Sequence, residues 1–401
     1  MKRAVITGIG PVTSMGSGRD EFWKAILSKE INIKPISQSN LDKYKTKYTV
    51  PCAEVELERF PELEKIKNKT SLSSMLGVYS ALLAIEDAGI VKEEIPENCS
   101  VIIGTGFANS HDAISFSKSI IEKERFNRMT IPIAMPNASA AWISILLGTH
   151  GNTYSLSTAC ASGSDAIGHA YRQIVNGDSL MSICGGVDVV KDKLNASLKG
   201  FDVLTVLTKS KDGYPRPFSE ERSGFLFNEG AACVLIIEEL EHAIKRKAQI
   251  YAEITGYSVN SDAYNIVMMP NDGVYEKKIL EELIKKVKNV DYYNAHGTAT
   301  ILNDQTEIML IQQLFGDKEK QPVITSTKGL LGHSIGASGA LEAAVCALSI
   351  RDGKIHGNKM GTPCNNLNVS ETVVTKEINS VISASFGFGG HNAALLFQKY
   401  K

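Results

Sequence analysis

Tyr154-Ser155-Leu156-Ser157-Thr158-Ala159-Cys160-Ala161-Ser162-Gly163-Ser164 reads as a strand that runs straight into a helix, with a cysteine at the junction. The strand pattern covers Tyr154–Thr158 and the helical pattern Ser162–Val175. Ile167, Ala170, Tyr171 and Ile174 recur at helical spacing, and Asn176-Gly177 is a stop signal. Ala159, Gly163 and Ala166 are small enough for close packing. A cysteine at a helix N-terminus meets unpaired backbone N–H groups and the positive end of the dipole. The position therefore predicts a lowered thiol pKa and a nucleophile. The plainer alternative is a small buried residue in a tight strand–helix junction.

The same grammar recurs outward from this junction. Apolar runs rich in β-branched residues lie at Ala4–Thr7, Ser100–Gly104, Met181–Cys184, Ala232–Ile237 and Val323–Thr327. Helical patterns lie between them at Ser73–Ala88, Lys277–Val287 and Ala337–Ile350. Alternation of this kind predicts an α/β fold with a largely parallel, buried sheet. The last segment differs, since Ser380–Ser385, a glycine-rich turn and Ala393–Gln398 read as an antiparallel pair. Met1 to Gly8 reads as a first strand, and Ile250-Tyr251-Ala252-Glu253-Ile254-Thr255-Gly256 repeats its Thr-Gly ending. With Glu238–Lys247 as a charged helical connector, this suggests a duplicated half with a seam near residue 248.

At 401 residues the chain holds two to three domain-sized units of about 150 residues each. Hydrophobic residues at 43% and charged residues at 22% place it among soluble globular proteins and away from disorder. Net charge is −1, which argues against nucleic-acid binding driven by bulk positive charge. The longest apolar run, around Ala140 to Leu147, is too short to span a membrane, and no secretory signal is read at the N-terminus. The seven cysteines are scattered without a C-x-x-C pair, so neither a disulfide framework nor a metal site is expected. A cytoplasmic enzyme with reduced thiols is the expectation.

Three further stretches could carry chemistry. Asn294-Ala295-His296-Gly297-Thr298-Ala299-Thr300 follows a strand pattern, as does Lys328-Gly329-Leu330-Leu331-Gly332-His333-Ser334-Ile335-Gly336-Ala337-Ser338-Gly339. Each sets a histidine beside glycine near a strand end, where open α/β sheets place their sites. Ser385-Phe386-Gly387-Phe388-Gly389-Gly390-His391-Asn392 is a glycine-rich turn whose backbone N–H groups can face a developing oxyanion. No stretch completes G-x-G-x-x-G or G-x-x-x-x-G-K-[ST], which disfavours a nucleotide-dependent enzyme.

Taken together, T-A-C-A-S-G, N-A-H-G-T-x-T with Asn303-Asp304 behind it, K-x-x-x-G-H-x-x-G-A-S-G and S-F-G-F-G-G-x-N resemble the β-ketoacyl-[acyl carrier protein] synthases. The likeness spans the chain and is nearest the elongating type, whose triad is Cys-His-His. It implies a thiolase-like fold of two βαβαβαββ halves in an αβαβα sandwich, here residues 1–247 with the nucleophile and 248–401 with the two histidines. It implies that Cys160 carries the acyl group, that His296 and His333 hold the enolate oxygen, and that Lys328 with Glu342 supports them. The backbone N–H groups of Cys160 and Phe388 would form the oxyanion hole, with Phe388 also a gate. Thr298 and Thr300 would hold the pantetheine arm, with Phe386, Phe388 and Phe107 against the acyl chain. Phe107, larger than the usual aliphatic, is expected to shorten the tunnel.

No metal, nicotinamide or nucleotide is implied. The implied partners are acyl- and malonyl-loaded acyl carrier protein, docked on basic candidates Lys67, Lys69, Arg125, Arg128, Lys209 and Lys211. A homodimer, or a heterodimer with a chain-length-factor-like subunit, is implied as well. The chain departs from the family pattern at Ser223, at Asn228-Glu229-Gly230 and at Asn265-Ile266-Val267, which leaves room for a specialised polyketide or polyene pathway besides fatty-acid synthesis. Two rivals stand beside the condensing enzyme. A silent chain-length factor would lack the nucleophile. A thiolase acting on coenzyme A would carry a second cysteine where this chain has Phe388.

Overall fold

Ten strands follow one another along a single sheet in the computed structural model, which describes residues 2–36, 43–364 and 366–401. Met1, at the head of the expected first strand, lies outside the described residues. In chain order the strands are β1 (Ala4–Thr13), β2 (Ser100–Gly104), β3 (Thr153–Leu156), β4 (Met181–Val189) and β5 (Gly230–Glu239). They continue with β6 (Ala252–Ser261), β7 (Tyr292–Asn294), β8 (Val323–Thr325), β9 (Ser380–Gly387) and β10 (His391–Gln398). From one edge to the other the order is β8-β7-β9-β10-β6-β1-β5-β4-β2-β3. Read inward from either edge, this is third, second, fourth, fifth and first strand of a five-strand set. The sheet is a palindrome, and β1 and β6 meet antiparallel at its centre through Ala4, Val5 and Ile6.

The expected largely parallel sheet is corrected here to a mixed one. The pairs β7–β8, β7–β9, β2–β3 and β2–β4 are parallel, whereas β9–β10, β6–β10, β1–β6, β1–β5 and β4–β5 are antiparallel. Helical crossovers join the outer strands, as the sequence pattern demands. Residues 190–229, between β4 and β5, instead form mostly irregular structure, and the chain returns antiparallel. The final hairpin is antiparallel, as expected.

The main helices are α1 (Leu72–Asp87), α2 (Ser110–Ile121), α3 (Thr130–Ala134), α4 (Ala138–Leu147) and α5 (Ser162–Asn176). After them come α6 (Ala196–Val203), α7 (Val274–Ile284), α8 (Ile301–Phe315) and α9 (Ser338–Asp352). Helices α5 and α9 touch strands of both halves and each other, which makes them the middle layer. Helices α1 and α4 cover one outer face, and α7 with α8 the other. The result is the five-layer αβαβα sandwich. Helix α9 is buried at every position from Ser338 to Ile350, and so it has no polar face to read as a surface stripe. A helix enclosed on all sides is where a lone ionisable residue such as Glu342 needs a partner.

Candidate active site

Cys160 lies in a tight 3₁₀ turn, Ala159–Ala161, that leads into α5. Ala159 holds φ 50°, a left-handed conformation that costs an L-residue roughly 1–2 kcal/mol. The turn Ile335–Ala337 before α9 repeats this, with Ile335 at φ 49°. The two segments read T-A-C-A-S-G and S-I-G-A-S-G, and both open helices of 15 residues. Sequence reasoning missed this internal repeat, whose signal was the shared A-S-G. Gly336 therefore stands in the second half where Cys160 stands in the first. Its N–H donates to Asp188 Oδ2 at 2.6 Å.

His333 follows the short helix Lys328–Leu331 and is held by an isolated bridge to Phe227, so it stands farther from its strand end than the pattern predicts. Its Nε2 is 3.1 Å from Cys160 Sγ and its Nδ1 is 3.0 Å from Ser338 Oγ. Ser338 Oγ also accepts the N–H of Ser334 at 3.1 Å. The Phe225 ring stands edge-on to the imidazole, with centroids 5.0 Å apart. His296 follows β7, its ring centroid 5.7 Å from that of His333 and 5.7 Å from that of Phe386. Its backbone is clamped by Glu307, whose carboxylate accepts the N–H of His296 at 2.9 Å and of Gly297 at 2.8 Å. The His296 Nδ1 is buried without a hydrogen-bond partner.

Electrostatics at the site turn on burial and on one cation. Burial pushes the Cys160 thiol up to about 11, so the expected lowered pKa is corrected. Desolvation outweighs everything that acts the other way, namely the Lys328 charge and the backbone N–H groups of Phe388 and Cys160. Both imidazoles are held well below their ordinary value, by burial first and by Lys328 second. They are neutral at pH 7. Lys328 Nζ is 2.5 Å from Glu342 Oε1, and both side chains are buried. Burial raises the Glu342 carboxyl to about 7 against the pull of that lysine.

The β9–β10 hairpin closes over the thiol. A Cβ on Gly387 would come within 2.8 Å of the Thr158 carbonyl oxygen and 3.2 Å of the Cys160 nitrogen, so only glycine allows this approach. That contact brings the Phe388 N–H to the sulfur, where it joins the N–H of Cys160 in favouring negative charge.

Cys160, His296, His333, Thr298, Thr300, Phe386 and Phe388 all line one pocket of about 220 Å³. Thr298 and Thr300 share a hydroxyl contact at 2.9 Å. Lys328 and Glu342 stand outside that lining. Phe107 does too, because its loop is tied down: Asp188 accepts the N–H of Gly106 at 2.8 Å and of Phe107 at 3.0 Å. The Phe107 ring instead packs on Phe201, 5.6 Å between centroids, and Phe201 lines the pocket. The sequence reading missed Phe201, Leu204, Val206 and Phe225 on that wall, since residues 190–229 show no periodic pattern.

The six basic candidates are all exposed. Lys67 pairs with Glu64 at 2.6 Å. Asn127 Nδ2 donates to the Asn68 carbonyl at 3.3 Å, which brings the segment of Lys67 and Lys69 to that of Arg125 and Arg128. Lys209 and Lys211 follow Val206, which lines the pocket. Of the departures from the family pattern, Asn228 donates to the Leu331 carbonyl at 2.8 Å, and Ser223 Oγ accepts the Lys209 N–H at 3.0 Å. Both brace the surroundings of the site.

Comparison with known proteins agrees along the whole chain. The family described as Beta-ketoacyl synthase, N-terminal domain, matches residues 1–243, and Beta-ketoacyl synthase, C-terminal domain, matches residues 251–360. The 3-oxoacyl-[acyl-carrier-protein] synthase 2 of Coxiella burnetii is 32% identical over 416 residues, covering 99% of each chain. Among solved structures, the ishigamide ketosynthase/chain length factor superposes with TM-score 0.88 at 28% identity over 100% of both chains. A type II polyketide ketosynthase, solved with its acyl-carrier protein and bound to the hexaketide, gives TM-score 0.88 at 25% identity, again over 100% of both chains.

Proposed function

The chain belongs to the β-ketoacyl synthase family, and on that premise we propose a decarboxylative condensation in which Cys160 holds the acyl group and malonyl-[acyl carrier protein] supplies two carbons. The observation that carries the reading is the thiol 3.1 Å from a neutral imidazole, with a second neutral imidazole beside it in the same pocket.

In acyl transfer, the Cys160 sulfur attacks the carrier thioester while His333 Nε2 takes the S–H proton. The oxyanion is held by the N–H groups of Cys160 and Phe388, donors of a kind worth about 10²–10³ in rate each. The intermediate expels the carrier thiolate, which leaves with that proton. Malonyl carrier then enters, and its C–C bond breaks to release CO₂. The electron pair moves onto the thioester as an enolate, whose oxygen accepts hydrogen bonds from His296 and His333. The enolate carbon attacks the acyl-Cys160 carbonyl, and collapse returns the thiolate, which takes up one proton. Ser338 Oγ can both give and accept a hydrogen bond, so it serves either tautomer of His333. Lys328 steadies the thiolate and disfavours imidazolium, and Glu342 balances its charge. Thr298 and Thr300 at the pocket wall suit the amide groups of a pantetheine arm.

We also place the boundary between the halves near residue 248, after the helix Leu240–Lys245, and the reaction in a reducing compartment, the cytoplasm, since the nucleophile is a free thiol. No described helix is long and apolar enough to cross a membrane. A dimer, of identical chains or with a chain-length-factor-like subunit, completes the assembly. A purely silent subunit and a thiolase of coenzyme A are less well supported, since Cys160 is in place and is the sole cysteine among the residues lining the pocket.

Cys160→Ala tests the reading. Wild type incubated with acyl-loaded carrier proteins is expected to gain one acyl mass on the peptide holding Cys160. The variant is expected to gain none while melting within a few degrees of wild type. An adduct on the variant, or on Cys184 or Cys233 in wild type, would refute the assignment.

A further inference from the structure

Three segments that line the pocket, Phe201–Val206, Tyr264–Met269 and Thr298–Leu302, also reach the surface; none contains a lysine or arginine, and their one charged residue, Asp202, is buried. Val203, Leu204, Ile266, Met268 and Ile301 are between 45% and 77% exposed. Leu204 and Met268 reach from this surface into the pocket lining, and Ile301 sits between the lining residues Thr300 and Leu302. Ile266 is fixed beside Phe388, because its carbonyl accepts the N–H of Gly389 at 2.8 Å. Exposed apolar side chains gathered around the opening of a catalytic pocket mark an interaction surface.

We propose that this apolar collar, which exposes no charged side chain, is the docking surface for the body of the carrier protein, and that it selects a carrier whose contacting helix is apolar. The proposal rests on the condensing-enzyme reading above and specifies its partner. A thioester reaching Cys160 through this mouth is tethered to a folded carrier, so that carrier must cover Leu204 and Met268. Covering aliphatic side chains with acidic ones would strand unpaired charge, whereas Leu, Ile, Val or Met would bury area on both sides. Lys209 and Lys211 follow Val206 in sequence, are exposed, and lie outside the three segments and the pocket lining. Association here depends on burial and so responds weakly to ionic strength, unlike charge-steered docking.

The test compares two donors of one hexanoyl group, hexanoyl-loaded acyl carrier protein and hexanoyl-pantetheine, which has the arm without the carrier body. For Val203→Ser/Ile266→Ser, KM for the loaded carrier is expected to rise roughly tenfold, and acylation of Cys160 by hexanoyl-pantetheine to stay within about twofold of wild type. Between 50 mM and 500 mM NaCl, wild-type kcat/KM with the loaded carrier is expected to change less than about twofold. An unchanged KM in the double variant would overturn the proposal. So would a steep fall with salt that Lys209→Glu/Lys211→Glu removes, or burial of the collar by a second copy of this chain in solution. Failure of both donors to acylate wild type would instead overturn the condensing-enzyme reading, and the collar with it.

Discussion

Lys328 is 3% exposed and its ammonium acts on Cys160, His296 and His333 at once. A cation so placed favours thiolate and disfavours imidazolium, so one side chain biases the nucleophile and both donors toward the states the condensation step uses, and it keeps the His333 imidazolium of acyl transfer transient. Motif reading located all four residues. It missed the direction of the thiol's shift, because helix-end arguments omit desolvation, and desolvation comes first at all three groups. His296→Gln follows from the neutral ring. Malonyl decarboxylation is expected to fall roughly 10²–10³-fold, while acyl loading of Cys160 stays within about tenfold. Stability carries a sign as well. A histidine held below 6.5 in the folded state contributes fully above that pH, and the contribution is lost as pH falls toward the folded value, since only the unfolded chain takes up the proton. Wild type should therefore lose more Tm than His296→Gln between pH 8 and pH 5.5. Equal losses in thermal melts would contradict a neutral buried ring.

At the scale of elements, the aromatic side chains of separate segments form one wall. Phe107 in the loop after β2 packs on Phe201 of α6, Phe201 on Phe225 at 5.6 Å, and Phe225 on His333. The Phe107 ring thus props Phe201 against the pocket, and a close-packed wall yields little room. Wild type is expected to load short or flat, rigid acyl chains from carrier protein, and Phe107→Ala to load longer saturated chains about tenfold faster by letting Phe201 swing back. Efficient loading of long saturated chains by wild type, with no gain in the variant, would remove Phe107 from length control. Legibility differed by element. The strand Ser100–Gly104 and helix α1 were readable nearly to the residue, because β-branched runs and apolar spacing are local signals. Strand β1, which runs to Thr13, was read only to its Thr7-Gly8 ending, since Gly10 and Pro11 beyond it look like a turn; yet a Cβ on Gly10 would meet the Ser80 carbonyl oxygen at 2.0 Å. That glycine serves packing against α1, which no local pattern reveals. The parallel expectation failed for a related reason, because which strands become neighbours is decided by contacts far apart in sequence.

Across the whole molecule, the two ends of the sheet are finished differently, and this bears on assembly. At one end, β8 is covered: the Ile324 N–H donates to the Asn368 carbonyl at 2.9 Å and Ile324 bridges Val369. At the other end, among the described residues, β3 pairs only with β2, leaving a row of backbone groups open. A bare edge is a template for another chain. The helices around it carry the apolar surface such a contact needs. Helix α4 packs on β3 and exposes Ile145; α3 packs on α4 and exposes Ile131; α2 packs on α3 and exposes Ile120 and Ile121. Joining two such edges about a two-fold axis would continue the sheet from chain to chain and bury these isoleucines in one isologous contact. The same edge would serve an identical copy or a related chain-length-factor-like subunit. Ile121→Lys/Ile145→Lys is expected to convert a species of twice the chain mass into one of single mass in sedimentation, with acylation of Cys160 by hexanoyl-pantetheine reduced but the far-ultraviolet spectrum unchanged. A wild type that stays single-chain both alone and with such a subunit would rule out assembly through this edge, and so would a dimer indifferent to the two lysines.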